Sequence, residues 1–108
     1  MFNSYLKSFT SKKVGFVGLG ISNMPVLKLF AENGADITVR DLKDPLVTEH
    51  GDYLKSINAR LITGEGYLDD IDEEILFLSP VIKQFLPQFD KARENGVYIT
   101  TEMQEFLK

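Results

Sequence analysis

The stretch Val14-Gly15-Phe16-Val17-Gly18-Leu19-Gly20-Ile21-Ser22-Asn23 decides how the chain is read. An apolar run passes straight into two glycines spaced by one residue, then into a segment of helical character. A buried strand that turns sharply into a helix is written this way. Glycine lets the backbone turn tightly and approach a ligand closely. Free N–H groups at the helix start would face an anion, with the helix dipole in support.

Working outward, residues 14–17 form a strand with apolar side chains on both faces, as in the centre of a covered parallel sheet. Before it, apolar groups at Phe2, Tyr5, Leu6 and Phe9 have helical spacing, which predicts a short leading helix over 3–9. After it, Ser22 is placed as a helix N-cap, with Pro25 in the first turn where its missing N–H costs little. Val26, Leu29 and Phe30 make the inward stripe, with Leu27 beside it, and Asn33-Gly34 ends the helix.

A second strand follows over 35–40 and ends at Asp41. A weaker helical pattern, interrupted by Gly51, covers 45–57. Residues 59–63 read as a short edge strand, 64–66 as a turn, and 67–73 as an acidic loop with a helical turn. Ile75-Leu76-Phe77-Leu78 is a fourth strand, closed by Ser79-Pro80. The next helix spans 85–95, with Phe85, Leu86, Phe89 and Ala92 inward and Gly96 as its stop. A fifth strand lies at 97–99, and Thr101 caps a final helix over 102–107.

Strands alternating with crossovers require a parallel sheet. The predicted fold is therefore α/β, a Rossmann-like three-layer αβα domain of five parallel strands in the order 3-2-1-4-5. That order puts the switch point between strands one and four, where ligands of such sheets bind beyond the carboxyl ends. The loops meeting there are 18–22 and 79–83.

The chain has 108 residues, one domain's worth, and is 44% hydrophobic. Its net charge of −4 argues against broad binding to nucleic acid or anionic membrane. Absence of cysteine excludes disulfides and zinc-thiolate sites and fits a cytoplasmic setting. No apolar run approaches the ~18 residues of a membrane span. A reaction centre built from several domains does not fit in this length, so a piece of a longer protein is expected.

Each candidate residue has a bland counterpart. Gly18 and Gly20 form G-x-G, but Asn23 stands where the third glycine of a dinucleotide fingerprint belongs, which argues against NAD. The bland reading is a tight strand–helix turn. Asp41 is a ribose or base acceptor, or a solvated turn acid; Lys43 is a phosphate contact or a solvated lysine. Ser79 is a switch-point donor, or ordinary turn chemistry before proline. His50, the single histidine, has no partners at ligand spacing and reads as a surface residue. Asp69, Asp70, Asp72, Glu73 and Glu74 lack calcium-loop spacing and read as a solvated face. No G-x-x-x-x-G-K-[ST] loop is present to hold ATP.

Three stretches in register resemble the N-terminal domain of the Mur ligases, the D-glutamate-adding members most closely. They are Lys13 to Ser22, Asp41 at the end of strand two, and Leu78-Ser79-Pro80, followed by a helix, Gly96-Val97 and the exit Thr101-Glu102-Met103-Gln104-Glu105-Phe106. The resemblance runs from about Lys12 to Phe106. It implies a domain that holds the UDP end of UDP-N-acetylmuramoyl-L-alanine. Gly18, Gly20, Ile21 and Ser22 would lie at the diphosphate and uracil, Asp41, Leu42 and Lys43 around the uracil, and Ser79 near the diphosphate or sugar. It implies no catalytic residue and no metal ligand here, because ATP and Mg2+ are handled by a central and a C-terminal domain. The departures are Asn23 for glycine, Val81 for glycine, Gln104 for an acid, and Leu42-Lys43 for a threonine–arginine pair. The alternative is an NAD(P)-binding or regulatory Rossmann domain.

Overall fold

Five short parallel strands form the middle of the molecule in the order β3-β2-β1-β4-β5. The computed structural model describes residues 2–19, 23–44, 49–83 and 85–106. In chain order the elements are α1 (Phe2–Lys7), β1 (Lys13–Val17), α2 (Asn23–Glu32), β2 (Asp36–Asp41), α3 (Gly51–Ser56), β3 (Arg60–Thr63), β4 (Ile75–Leu78), α4 (Pro87–Glu94), β5 (Tyr98–Thr100) and α5 (Glu102–Phe106). The predicted strand order is the observed one. β1 lies at the centre, with Val17 level with Arg40 of β2 and Leu78 of β4.

Alternation along the strands sorts the core into two clusters. On one face Val14, Phe16, Ile37, Val39, Ile75 and Phe77 pack under α1, α2 and α3. Phe16 stacks on Phe77 with centroids 5.3 Å apart, and Phe30 of α2 lies 5.5 Å from Phe77. α2 ends as the sequence predicts. Gly34 has φ +85°, Ala35 N–H donates to Phe30 O, and Gly34 N–H to Ala31 O, the paired bonds of a Schellman cap.

The second face departs from expectation. Over β4 and β5 it is apolar, with Val17, Leu76, Leu78 and Val97 packed against Phe89 and Ala92 of α4. Over β1, β2 and β3 no helix lies between β3 and β4, and the strap 64–74 crosses instead. Asp69, Asp70, Asp72 and Glu74 are exposed, as expected of a solvated face, and Glu73 is the exception. Glu73 is buried, and Arg40, a fully buried charge within β2, meets it with two bonds: Nε to Oε2 at 2.8 Å and Nη2 to Oε1 at 2.9 Å. The same guanidinium donates to the carbonyls of Tyr67, Asp69 and Asp70. A planar group with five donors suits this role, since one residue pairs the acid and satisfies the backbone of the strap.

β1 is therefore not apolar on both faces. A Cβ built on Gly15 would stand 2.4 Å from Glu73 Oε2 and 2.6 Å from Leu76 Cδ1. Gly15 is glycine because the carboxylate lies over it. Around this pair Arg60 bonds Thr38 Oγ1, Glu73 and Asp72, and Lys13 bonds Asp72 at 2.7 Å. Arg60 and then Lys13 hold the Asp72 carboxyl well below the usual carboxylate range. A depressed folded value means stability that is present above the unfolded pKa, about 3.9, and lost as pH falls below it. Urea midpoints should therefore drop more steeply in wild type than in Asp72→Asn as pH is lowered from 5 through that value. Because Asp72 is about half exposed, solvent screening keeps the difference small.

Several boundaries moved. α3 begins at Gly51 instead of being interrupted there, and His50 is its N-cap residue. Residues 45–48 of the predicted helix lie outside the described residues. α4 starts at Pro87, so Phe85 is not an inward helical residue but lies 84% exposed. A proline pre-set for the first turn, with Leu86 extended before it, fixes that start. At the other end, Thr101 Oγ1 accepts the N–H of Gln104, the predicted cap. Glu105 of α5 accepts from Tyr5 Oη at 3.0 Å, Tyr98 Oη at 2.9 Å and Thr100 Oγ1 at 2.9 Å. This carboxylate ties the last helix to the first.

Candidate functional site

The carboxyl ends of β1, β2 and β4 come together at the switch point. Gly18 leaves β1 with φ +79°, a conformation that penalises any side chain. Its N–H donates to Arg40 O at 2.9 Å, and Ser79 N–H donates to Val17 O at 3.0 Å, so both flanking loops start in register with the β1 turn. A Cβ on Gly18 would approach Ser79 Cβ to 3.2 Å. The glycine turn and the Ser79 loop are thus in direct contact, as the sequence predicts for a site at this point.

Ser79 is buried, and its carbonyl accepts the N–H of Ile82 in a tight turn. That turn leaves Val81 86% exposed. Across β1, Asp41 ends β2 half-buried, and its Oδ1 accepts the N–H of Lys43 at 3.1 Å. One carboxylate oxygen therefore shapes its own loop, while Leu42 and Lys43 are exposed. Gly18, Ser79 and the Asp41–Lys43 loop share one edge of the sheet; Gly20, Ile21 and Ser22 lie outside the described residues.

Asn23 opens α2 and is completely buried. Its Nδ2 donates to Gly18 O at 2.7 Å and reaches Val17 O at 3.4 Å. Its Oδ1 is buried and has no hydrogen-bond partner among the described residues. Unpaired buried acceptors cost about 1–3 kcal/mol. The sequence signal for this residue is an asparagine in place of a glycine; the motif alone does not show that its side chain bonds the end of β1.

No group of three or more acidic, histidine or cysteine residues able to hold a metal ion occurs among the described residues. No helix among them is long and apolar enough to cross a membrane. A separate hollow lies between the strap and α4, lined by Leu68, Asp69, Asp70, Lys91 and Asn95 among others. It shares no residue with the switch point.

Comparison with known proteins gives the site its context. No family model matches the chain. A UDP-N-acetylmuramoylalanine–D-glutamate ligase from Clostridium kluyveri is 39% identical over 109 residues, covering 99% of this chain and 24% of the ligase. A ligase of the same name from Clostridium botulinum is 38% identical, with the same coverage of both chains. Over nearly its whole length the chain is similar to UDP-N-acetylmuramoylalanine–D-glutamate ligases. It spans about a quarter of the length of these ligases. Among solved structures, L-tryptophan dehydrogenase from Nostoc punctiforme superposes with a TM-score of 0.57 at 11% identity, covering 94% of this chain and 39% of the dehydrogenase. At that identity the likeness shows a shared Rossmann-like fold.

Proposed function

We propose that this chain is the N-terminal substrate-holding domain of an ATP-dependent D-glutamate-adding ligase of peptidoglycan synthesis, a cytoplasmic enzyme, and that it grips the UDP end of UDP-N-acetylmuramoyl-L-alanine. The observation that carries this reading is the contact of the Gly18 turn with the Ser79 loop at the switch point, in a chain whose ligase relatives match it end to end. Backbone N–H groups at a helix start such as that of α2 suit a diphosphate, because the first turn of a helix has no intrahelical acceptors for them and the helix dipole favours an anion there. Gly18, Gly20, Ile21 and Ser22 take the diphosphate side. Asp41, Leu42 and Lys43 take the uracil side: a carboxylate oxygen accepts a ring N–H, and an exposed apolar side chain covers the base. Ser79 meets the diphosphate or the sugar.

In the full ligase, ATP with Mg2+ activates the substrate carboxylate and D-glutamate supplies the attacking amine. The residues of this chain do not fit those groups, having no ATP loop and no acidic cluster at metal spacing among the described residues. Its part is to bind and orient the nucleotide end, leaving the far carboxylate to the remaining domains.

Two measurements test the reading. Incubated with UDP-N-acetylmuramoyl-L-alanine, D-glutamate and ATP, the 108-residue chain should release no ADP above background; sustained ADP release would contradict the assignment of the chemistry elsewhere. Ligand held at ten times Kd stabilises a domain by about 1.4 kcal/mol, several degrees for this size. UDP should produce such a shift in thermal unfolding, and NADH should not. Protection by NADH alone would favour a dinucleotide or regulatory role, to which Asp41 at the end of β2 would then belong.

A further inference from the structure

The second face of the sheet is covered in two different ways. Over β4 and β5 the cover is the apolar side of α4; over β1 to β3 it is the strap, keyed to a charged pair whose side chains are wholly buried. Such a pair adds little net stability compared with apolar residues of the same size, so its presence calls for a second role. What it supplies is direction. The Arg40 side chain holds both Glu73 oxygens and the carbonyls of Tyr67, Asp69 and Asp70, which fixes where the strap lies along β2. The strap in turn holds the loop that follows β2. Gly64 turns out of β3 at φ +86°, and its N–H donates to Leu42 O at 3.3 Å. Asp41 stands level with Thr63, the residue before that glycine. Arg40, which anchors the strap, immediately precedes Asp41. The strap and the loop 41–43 are thus joined at two places, one through a side chain and one through the backbone.

We infer that Arg40 and Glu73 are positioning residues for base recognition: through the strap they set the Asp41 carboxylate where it accepts the N3–H of a uracil ring. The inference rests on the UDP reading above and gives the buried pair a part in it. Uracil carries a proton on N3 and cytosine does not, so a carboxylate fixed at that place favours UDP over CDP. A pair that served only the fold would change stability and leave that preference untouched.

The test titrates UDP and CDP into wild type, Arg40→Lys and the double variant Arg40→Leu/Glu73→Leu, each confirmed folded by circular dichroism at the working temperature. The double variant removes both charges together, so neither is stranded, and Arg60 keeps Asp72 as its partner. Arg40→Lys keeps the charge and loses the planar fork. Wild type should bind UDP more tightly than CDP. In either variant UDP affinity should fall about tenfold or more, the worth of one hydrogen bond to a charged group, while CDP affinity stays close to that of wild type. A measurement on wild type alone needs no variant to fold. Because coupling is reciprocal, saturating UDP should slow hydrogen exchange at Arg40 Nε–H and at the Gly64 amide by about fivefold or more. A preference for UDP over CDP that survives in a folded variant, or exchange at these two protons unchanged by UDP, would overturn the inference. So would equal binding of UDP and CDP by wild type, and in each of these cases the nucleotide reading still stands. Failure of wild type to bind UDP at all would overturn that reading and the inference with it, so the two failures are distinguishable.

Discussion

Glu73→Gln is expected to cost the domain about 3–5 kcal/mol, the range for removing one partner of a buried ion pair. That is a large share of the 5–15 kcal/mol that typically holds a small domain folded. The substitution keeps the shape of the side chain and removes only its charge. Arg40 then stays buried with its positive charge uncompensated, and it cannot retreat to water. Its guanidinium remains tied to the carbonyls of Tyr67, Asp69 and Asp70. Removing Arg40 instead leaves Glu73 with only the outlying Arg60 as a charged partner and strands three carbonyls. Urea denaturation followed by circular dichroism measures the loss. A change below about 1 kcal/mol would mean that the pair behaves like an exposed one, contrary to its burial.

Gly15→Ala is expected to be nearly as damaging, although it adds one methyl group to a strand. Overpacking a core commonly costs about 1–3 kcal/mol. Here the new Cβ would stand 2.4 Å from a carboxylate oxygen that is itself held by two bonds from Arg40, and 2.6 Å from Leu76. The strap must lift or the ion pair must open, so the cost should exceed that range. The two substitutions share one cause and should be non-additive: with Glu73 already replaced, the added penalty of Gly15→Ala shrinks by at least 0.5 kcal/mol in a double-mutant cycle. Strict additivity would show that Gly15 and Glu73 do not constrain one another.

These two predictions also mark where the sequence was legible. Strand order followed from the alternation of apolar runs and helical segments, since parallel neighbours with right-handed crossovers leave few arrangements. The switch point followed from the order, and the contact of Gly18 with Ser79 followed from the switch point. The strap departs from expectation at Glu73, because local composition does not fix the environment of a single residue. Five acids within six residues suggest water, yet Glu73 is drawn inward by a charge more than thirty positions earlier. The clue was Arg40 within a strand whose neighbour has a glycine at its centre; a pairing so distant in sequence has no periodicity to reveal it. Helical spacing places Phe85 inward, but Pro87 begins the helix after it, and spacing counts only within one element. Asn23 was noticed as an exception to a motif, while its bonds to the β1 end emerge only from the fold.

The most direct test of the account is a UDP titration of the 15N-labelled chain by NMR. Amides of Gly18, Gly20, Ile21, Ser22 and Asn23 should shift together and saturably, joined by those of Asp41 to Lys43 and Ser79, with weak affinity because one domain supplies part of the full site. Shifts confined to the hollow between the strap and α4, or none at saturating UDP, would contradict it.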